Sequence, residues 1–150
     1  IGAGGFITGL KLDNGKILLS GSAFTSNTGF NTQGFVARLI ADSLFLDTTF
    51  GTNGIAFVSK DIRAFKLDAN KKIVAVGSDG TDYLAARLTA NGKPDATFGK
   101  NGIALVSISN FSPERALALD IDSKKRLMIV GIVENVITGL DRAGLIRLLP

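Results

Sequence analysis

Two nine-residue stretches carry the side chains best spaced for chemistry. Residues 46–54 read Leu-Asp-Thr-Thr-Phe-Gly-Thr-Asn-Gly, and residues 94–102 read Pro-Asp-Ala-Thr-Phe-Gly-Lys-Asn-Gly. Shared between them are Asp47 and Asp95, Thr49 and Thr97, Phe50 and Phe98, Gly51 and Gly99, Asn53 and Asn101, and Gly54 and Gly102. A carboxylate and an Asn in a glycine-containing loop are the beginnings of a calcium site. Calcium takes roughly six to eight oxygens, however, and the motif offers one carboxylate and one amide. Recurrence in each complete repeat also favours architecture over catalysis. The expectation is that Phe50 and Phe98 plug the gap between successive units. The glycines turn the backbone, and Asp47 and Asp95 cap backbone N–H groups or pair with Arg38 and Arg87.

Arginine recurs too, at Arg38, Arg87 and Arg147, each flanked by apolar residues. Such a set reads either as an anion-binding ring or as half-buried cations paired with the repeat aspartates. An unpaired buried guanidinium is costly, which favours pairing. Asp79-Gly80-Thr81-Asp82 lacks the later bidentate Glu of a calcium loop and reads as a polar turn. Gly2-Ala3-Gly4-Gly5 has no strand before it and no Gly-Lys-Ser/Thr after it, so it is not a phosphate cradle. With no His and no Cys, triads, thiol nucleophiles, ordinary zinc sites and disulfides are excluded within the chain. Thirteen acidic residues leave carboxylate chemistry open, but most sit in turns. Lys71-Lys72 and Lys124-Lys125-Arg126 fall in equivalent turns and could form a basic rim. No aromatic residues are interleaved there for base stacking, so nucleic acid is not an expected partner.

The elements that must hold these residues repeat three times. Two apolar runs flank Asp13-Asn14-Gly15, and Asn-Gly between such runs is a strong hairpin signal. The same order returns around Asp68–Lys72 and Asp122–Arg126, where the turn is one residue longer and a simple two-residue hairpin is in doubt. The second run meets a glycine four residues after its first apolar residue each time: Ile17 to Gly21, Ile73 to Gly77 and Leu127 to Gly131. The expectation is a strand of fixed length ending in a bend. A third run carries the Arg, and a fourth follows the motif at residues 55–58 and 103–106. No stretch sustains helical periodicity, so the chain reads as all-β. Its apolar runs are too short and too interrupted to form a membrane-spanning segment.

Four antiparallel strands in each unit of roughly 55 residues match the requirement for a propeller blade. The run Leu-Asp-Asn-Gly-Lys-Ile-Leu-Leu-Ser-Gly, then Phe-Val-Ala-Arg-Leu, then Leu-Asp-Thr-Thr-Phe-Gly-Thr-Asn-Gly, resembles the bacterial delta-60 repeat family. The resemblance spans nearly the whole chain. It implies a propeller-like array, often within envelope or secreted proteins, and carries over no catalytic residue. The expected architecture is a β-propeller-like array of about three four-stranded antiparallel blades in a single repeat domain of residues 1–150. Repeat 1 covers about 5–59, repeat 2 about 60–107, and repeat 3, incomplete, about 108–150. The chain opens at Ile1 without a leader, and the third repeat stops at Pro150 where the next motif would begin. The expectation is therefore an excised piece of a longer protein, or chains that associate to cover open edges, two chains making six blades.

These readings point to a non-enzymatic scaffold or binding module without a cofactor. It would present its non-repeating loops, residues 22–33 and 132–142, to a protein or glycan partner. Phe24, Phe30, Val136 and Ile137 lie in those loops and are the candidate contacts, and packing over a neighbouring blade accounts for them equally. The rival reading is a propeller-type enzyme acting on polysaccharide or lactone-like substrates with aspartates and a metal.

Overall fold

The computed structural model describes residues 4–25, 32–58, 60–109 and 112–149. Phe30 and the Gly2-Ala3 dipeptide lie outside the described residues. Within them the chain forms eleven strands and no helix. Strands β1 (Gly5–Asp13), β2 (Lys16–Phe24), β3 (Thr32–Ile40) and β4 (Ile55–Phe57) make the first sheet, paired in chain order. Strands β5 (Asp61–Leu67), β6 (Ile73–Ser78), β7 (Tyr83–Leu88) and β8 (Ile103–Val106) make the second in the same order. Strands β9 (Glu114–Ile121), β10 (Leu127–Val133) and β11 (Arg142–Leu148) make the third. Every pairing is antiparallel.

Turn chemistry explains the hairpins. Asp13 pairs with Lys16, leaving Asn14 and Gly15 as a two-residue loop at φ of 47° and 72°, both positive as a type I′ turn demands. The longer turns use a different device. The Asp68 carboxylate accepts from the backbone N–H groups of Asn70 (2.8 Å) and Lys72 (2.9 Å), and Lys71 takes the left-handed conformation at φ 62°. Asp122 does the same for Lys124 and Arg126, with Lys125 at φ 62°. Each is a three-residue loop closed by a side chain that substitutes for the missing glycine chemistry.

The repeating glycines do not end their strands. β2 runs on to Phe24, β6 to Ser78 and β10 to Val133, and each glycine faces a β-bulge on the neighbouring strand. Gly21 pairs with Ile7 while Ser20 pairs with Gly9, so Thr8 is the extra residue. Arg63 is extra opposite Gly77 and Val76, and Leu117 is extra opposite Gly131 and Val130. A Cβ at Gly21, Gly77 or Gly131 would collide with the backbone carbonyl oxygen of Phe6, Asp61 or Arg115 respectively. A bulge pushes its carbonyl toward the partner strand, so only a residue without a side chain fits there. The irregularity expected at these positions lies in the neighbouring strand, as its bulge.

The three sheets pack face to face. Leu18 and Val36 of the first meet Ile73 and Leu88 of the second. Val74, Val76 and Ala85 on the other side of the second meet Leu119, Ile129 and Ile146 of the third. The middle sheet is covered on both faces, so β6 and β7 are almost wholly buried. The first strands β1, β5 and β9, each at an edge of its sheet, lie next to one another, β5 touching both of the others. Tyr83 fits across the third sheet, its ring occupying the space that side chains at Gly131 and Gly144 would need. Its hydroxyl is buried with no hydrogen-bond partner, and that burial, with Glu114 nearby, raises its pKa.

Phe24 is not a loop residue. It lies in β2 opposite Thr32, its ring edge-on to Phe6 at 6.4 Å and half-buried. The alternating pattern of β2 continues past Gly21 and carries Phe24 with it. Val136 and Ile137, by contrast, stand at 69% and 92% exposure on the tip of the β10–β11 connection. That tip is shaped by the Asn135 amide oxygen, which accepts from the backbone of Ile137 (3.1 Å) and Thr138 (2.9 Å).

Candidate functional site

The two motif copies fold into the same circuit. In the first, the backbone N–H groups of Asp47 and Phe50 donate to Arg38 and Asp47 carbonyls, and Gly54 closes back on Phe50. In the second, Asp95, Phe98 and Gly102 repeat this with Arg87, Asp95 and Phe98. Gly51 and Gly99 both sit at φ 53°, and a Cβ on either would strike the carbonyl of Ile55 or Ile103. The glycines are there because the loop folds back on the strand that follows it.

Asp47 is a four-fold acceptor. One oxygen takes Arg38 Nε (3.0 Å) and Lys16 Nζ (2.8 Å), and the other takes the Thr49 hydroxyl (2.6 Å) and backbone N–H (3.2 Å). Asp95 matches it with Arg87 Nε (2.7 Å), Lys72 Nζ (2.7 Å), and the Thr97 hydroxyl (2.7 Å) and N–H (3.1 Å). Both carboxylate side chains are only 6% exposed. Hydrogen bonds from Lys16 and Thr49, outweighing burial, hold the Asp47 carboxyl far below the ordinary carboxylate range; Lys72 and Thr97 do so for Asp95. A calcium ion would have to displace two cations from each carboxylate, so neither motif is set up as a metal ligand.

Each arginine also stacks on the motif ring, Arg38 at 4.8 Å from the Phe50 centroid and Arg87 at 4.7 Å from that of Phe98. Phe50 is fully buried and lies against Gly92 of the next repeat, whose missing side chain leaves room for the ring. Gly51 N–H donates to the Asn91 carbonyl (2.8 Å), and Arg38 Nη1 donates to the Ala90 carbonyl (2.9 Å). The first motif is thus bonded to the following sheet, and Phe98 likewise packs among residues of the second and third sheets. Arg147 occupies the same strand position as Arg38 and Arg87 but is exposed, without a carboxylate partner among the described residues.

Lys16 and Lys72 were the motif partners that sequence reasoning missed. Their signal was present: each immediately precedes the first apolar residue of its β2 or β6 run. The basic rim is largely spent on ion pairs, since Lys72 binds Asp95, Lys71 reaches Asp13 at 2.5 Å, and Arg126 pairs with Asp122 at 2.6 Å. In Asp79–Asp82 the Asp79 carboxylate accepts from the backbone of Thr81 and Asp82, both at 2.9 Å, which makes it a turn.

Acid should unfold the protein through these pairs. An unfolded aspartate titrates near about 3.9 and both motif carboxyls titrate lower when folded. Their contribution is therefore complete above the unfolded value and is lost as pH falls toward the folded one. Thermal unfolding followed across acidic pH should show a plateau down to about pH 5 and a steady fall below it. The Asp47→Asn, Asp95→Asn double variant should start lower and fall less steeply. An unchanged slope would mean that these two groups do not set the acid limit.

The concavity with chemistry left to offer lies at the opposite end of the sheets. It is a cleft of about 510 Å³ to which all three sheets contribute, lined by Phe6, Asp61, Arg63, Ser78, Arg115 and Glu134 among others. The bulge in β5 aims Arg63 here; its Nε donates to Asp61 at 2.6 Å and its guanidinium lies 5.2 Å from the Phe6 centroid. Arg115 pairs through Nη2 with Glu134, while its buried Nε has no partner. The surrounding backbone is braced. Ser22 donates to Asp61 at 2.7 Å and accepts from Ile62 N–H at 3.0 Å, joining first and second sheets. The buried Glu114 carboxylate accepts from Ile108 N–H at 2.9 Å, and its own N–H donates to the Thr81 carbonyl at 2.8 Å. A second cleft of about 400 Å³ lies at the motif end between the second and third sheets, lined by Asp68, Lys72, Phe98, Asp122 and Lys125 among others. Among the described residues no three acidic side chains cluster as metal ligands, and no helix is long and apolar enough to cross a membrane. Comparison with protein-family models gives no match, and comparisons with curated proteins and with solved structures give none either.

Proposed function

We propose that the chain is a propeller-like array of delta-60 type that acts as a non-enzymatic binding module, taking an acidic glycan at the cleft shared by the three sheets. The observation that carries this is the convergence of Arg63 and Arg115 in one cleft built from all three repeats. Side-by-side meanders with their first strands adjacent support the array reading. Each guanidinium spends one nitrogen on a carboxylate of the cleft, Arg63 Nε on Asp61 and Arg115 Nη2 on Glu134, and a ligand carboxylate would be taken by the donors that remain on these two cations. The connections that differ between repeats, residues 79–82 and 134–141, emerge at this end, and Gly80 and Glu134 from them line the cleft.

The test is binding of the chain to an array of neutral and acidic oligosaccharides. The expected result is retention of uronic-acid chains, weakened about 10-fold or more by Arg63→Ala and Arg115→Ala together, with unchanged thermal unfolding. Equal binding of neutral and acidic chains, or no binding, would overturn it.

A further inference from the structure

We infer that Lys60 is the residue that makes the three-sheet cleft selective for acidic over neutral sugars. This deepens the glycan reading above and rests on it. Three cations line the cleft, Lys60, Arg63 and Arg115, against two carboxylates, Asp61 and Glu134. Arg63 Nε binds Asp61 at 2.6 Å, and Arg115 Nη2 binds Glu134. Each arginine therefore stands beside a charge that cancels its own. A neutral ion pair still offers N–H donors, but its net attraction for an anion is small. Lys60 is different: among the described residues it has neither a hydrogen bond nor an ion pair, and it leaves the cleft wall with one positive charge in excess. Arg63 and Arg115 orient a ligand carboxylate with the donors left to them, and Lys60 supplies the charge that distinguishes it from a hydroxyl group.

The repeat itself separates this lysine from the architecture. Phe6, Asp61 and Arg115 hold the same place on β1, β5 and β9, each one residue before the partner of the recurrent glycine. The residues that precede them are Gly5, Lys60 and Glu114. Gly5 has no side chain to offer, and Glu114 is buried, its carboxylate spent on the backbone N–H groups of Ile108 and Ser109. Of these three equivalent positions, only the middle one sends a charged side chain to the cleft wall. The neighbouring turn fixes where that charge sits. Lys60 lies along Gly80, where a Cβ would stand 3.3 Å from Lys60 Nζ and 3.6 Å from its Cδ. The turn is held by Gly80 N–H donating to Ser78 Oγ at 3.0 Å and by the Asp79 carboxylate accepting from the backbone of Thr81 and Asp82. Asp79 is thus committed to its own turn and forms no ion pair with Lys60.

The probes are oligogalacturonate and oligomannuronate, each beside the same oligosaccharide with its carboxyl groups reduced to primary alcohols, which removes the charge and keeps the sugar rings. Calorimetric titration of the 150-residue chain should show an acidic form bound about 10-fold or more tightly than its reduced counterpart. Lys60→Met, which removes the charge and keeps a long side chain, should weaken the acidic form about 10-fold, leave the reduced form unchanged and bring the two close to equal. Lys60→Arg should keep the preference. In the parent chain the preference should shrink as salt rises from about 0.05 to 0.5 M, and the Lys60→Met variant should be indifferent to salt. Both variants should unfold at the parent's temperature, because Lys60 is exposed and holds no partner among the described residues. An acidic preference that survives Lys60→Met, or an equal loss of acidic and reduced forms in that variant, would overturn the inference and leave the glycan reading standing. Binding of neither form by the parent chain, or equal binding of both, would overturn the two together.

Discussion

Replacing Phe50 with Ala is expected to lower the free energy of unfolding by about 3–5 kcal/mol, the range for deleting a fully buried aromatic ring. Phe50 has no exposed surface, and its ring is enclosed by Leu18, Val36 and Ala56 of one sheet and Ile73 and Leu88 of the next. It also supports the Arg38 guanidinium and fills the space left by Gly92, so neighbouring groups cannot easily collapse into the vacancy. Phe98, 8% exposed, should show a loss toward the lower end of the same range. Urea unfolding with unchanged m-values is the appropriate measurement. A loss below about 1 kcal/mol for Phe50→Ala would place the ring in an ordinary surface loop and remove the seam assignment.

The second large effect is at Gly77. A methyl group there would lie 2.0 Å from the Asp61 carbonyl oxygen, which belongs to a bulged backbone and cannot rotate away as a side chain would. Gly77→Ala should therefore cost about 3 kcal/mol, at the upper end for overpacking, and lower the melting temperature by about 6–12 °C in a domain of this size. Gly131→Ala should cost as much or more, since the added carbon meets both the Arg115 carbonyl and the Tyr83 ring. Gly139→Ala is the control: it has open space around it and only the positive φ of 69° to resist the change, worth about 1 kcal/mol. Equal losses at Gly77 and Gly139 would show that backbone conformation, and not the close approach of the bulge, explains the recurrent glycines.

Much of the fold was legible because repetition multiplies weak signals. One short apolar run is ambiguous, but Ile17, Ile73 and Leu127 each lead to a glycine at the same distance, and each falls in a central strand. Asn14-Gly15 specified its turn directly, since the positive φ values it adopts are those its residues tolerate. Phe24 lies in β2 beyond Gly21, where the sequence pattern alone suggests that the strand stops. A glycine in a strand marks either an end or a bulge, and only the pairing of β1 with β2 tells them apart.

The site was less legible than the scaffold. The pairing of Arg38 with Asp47 could be anticipated from local spacing, yet Lys16 enters the same carboxylate from a strand far away in the chain. The cleft lined by Phe6, Asp61, Arg63, Arg115 and Glu134 had no sequence signature at all, because its members come from three different sheets.

The amino-acid sequence by itself determined the repeat, the all-β character, the hairpin chemistry and the residues of the recurring motif. Each depends on interactions between residues close in the chain or on a pattern that recurs. Tertiary structure alone decided that the glycines face bulges, that the motif carboxylates are saturated by cations from neighbouring strands, and that two arginines share a cleft. Those outcomes depend on which strand lies beside which and which sheet covers which face, and such long-range placement is set by packing between surfaces that no local stretch of sequence specifies.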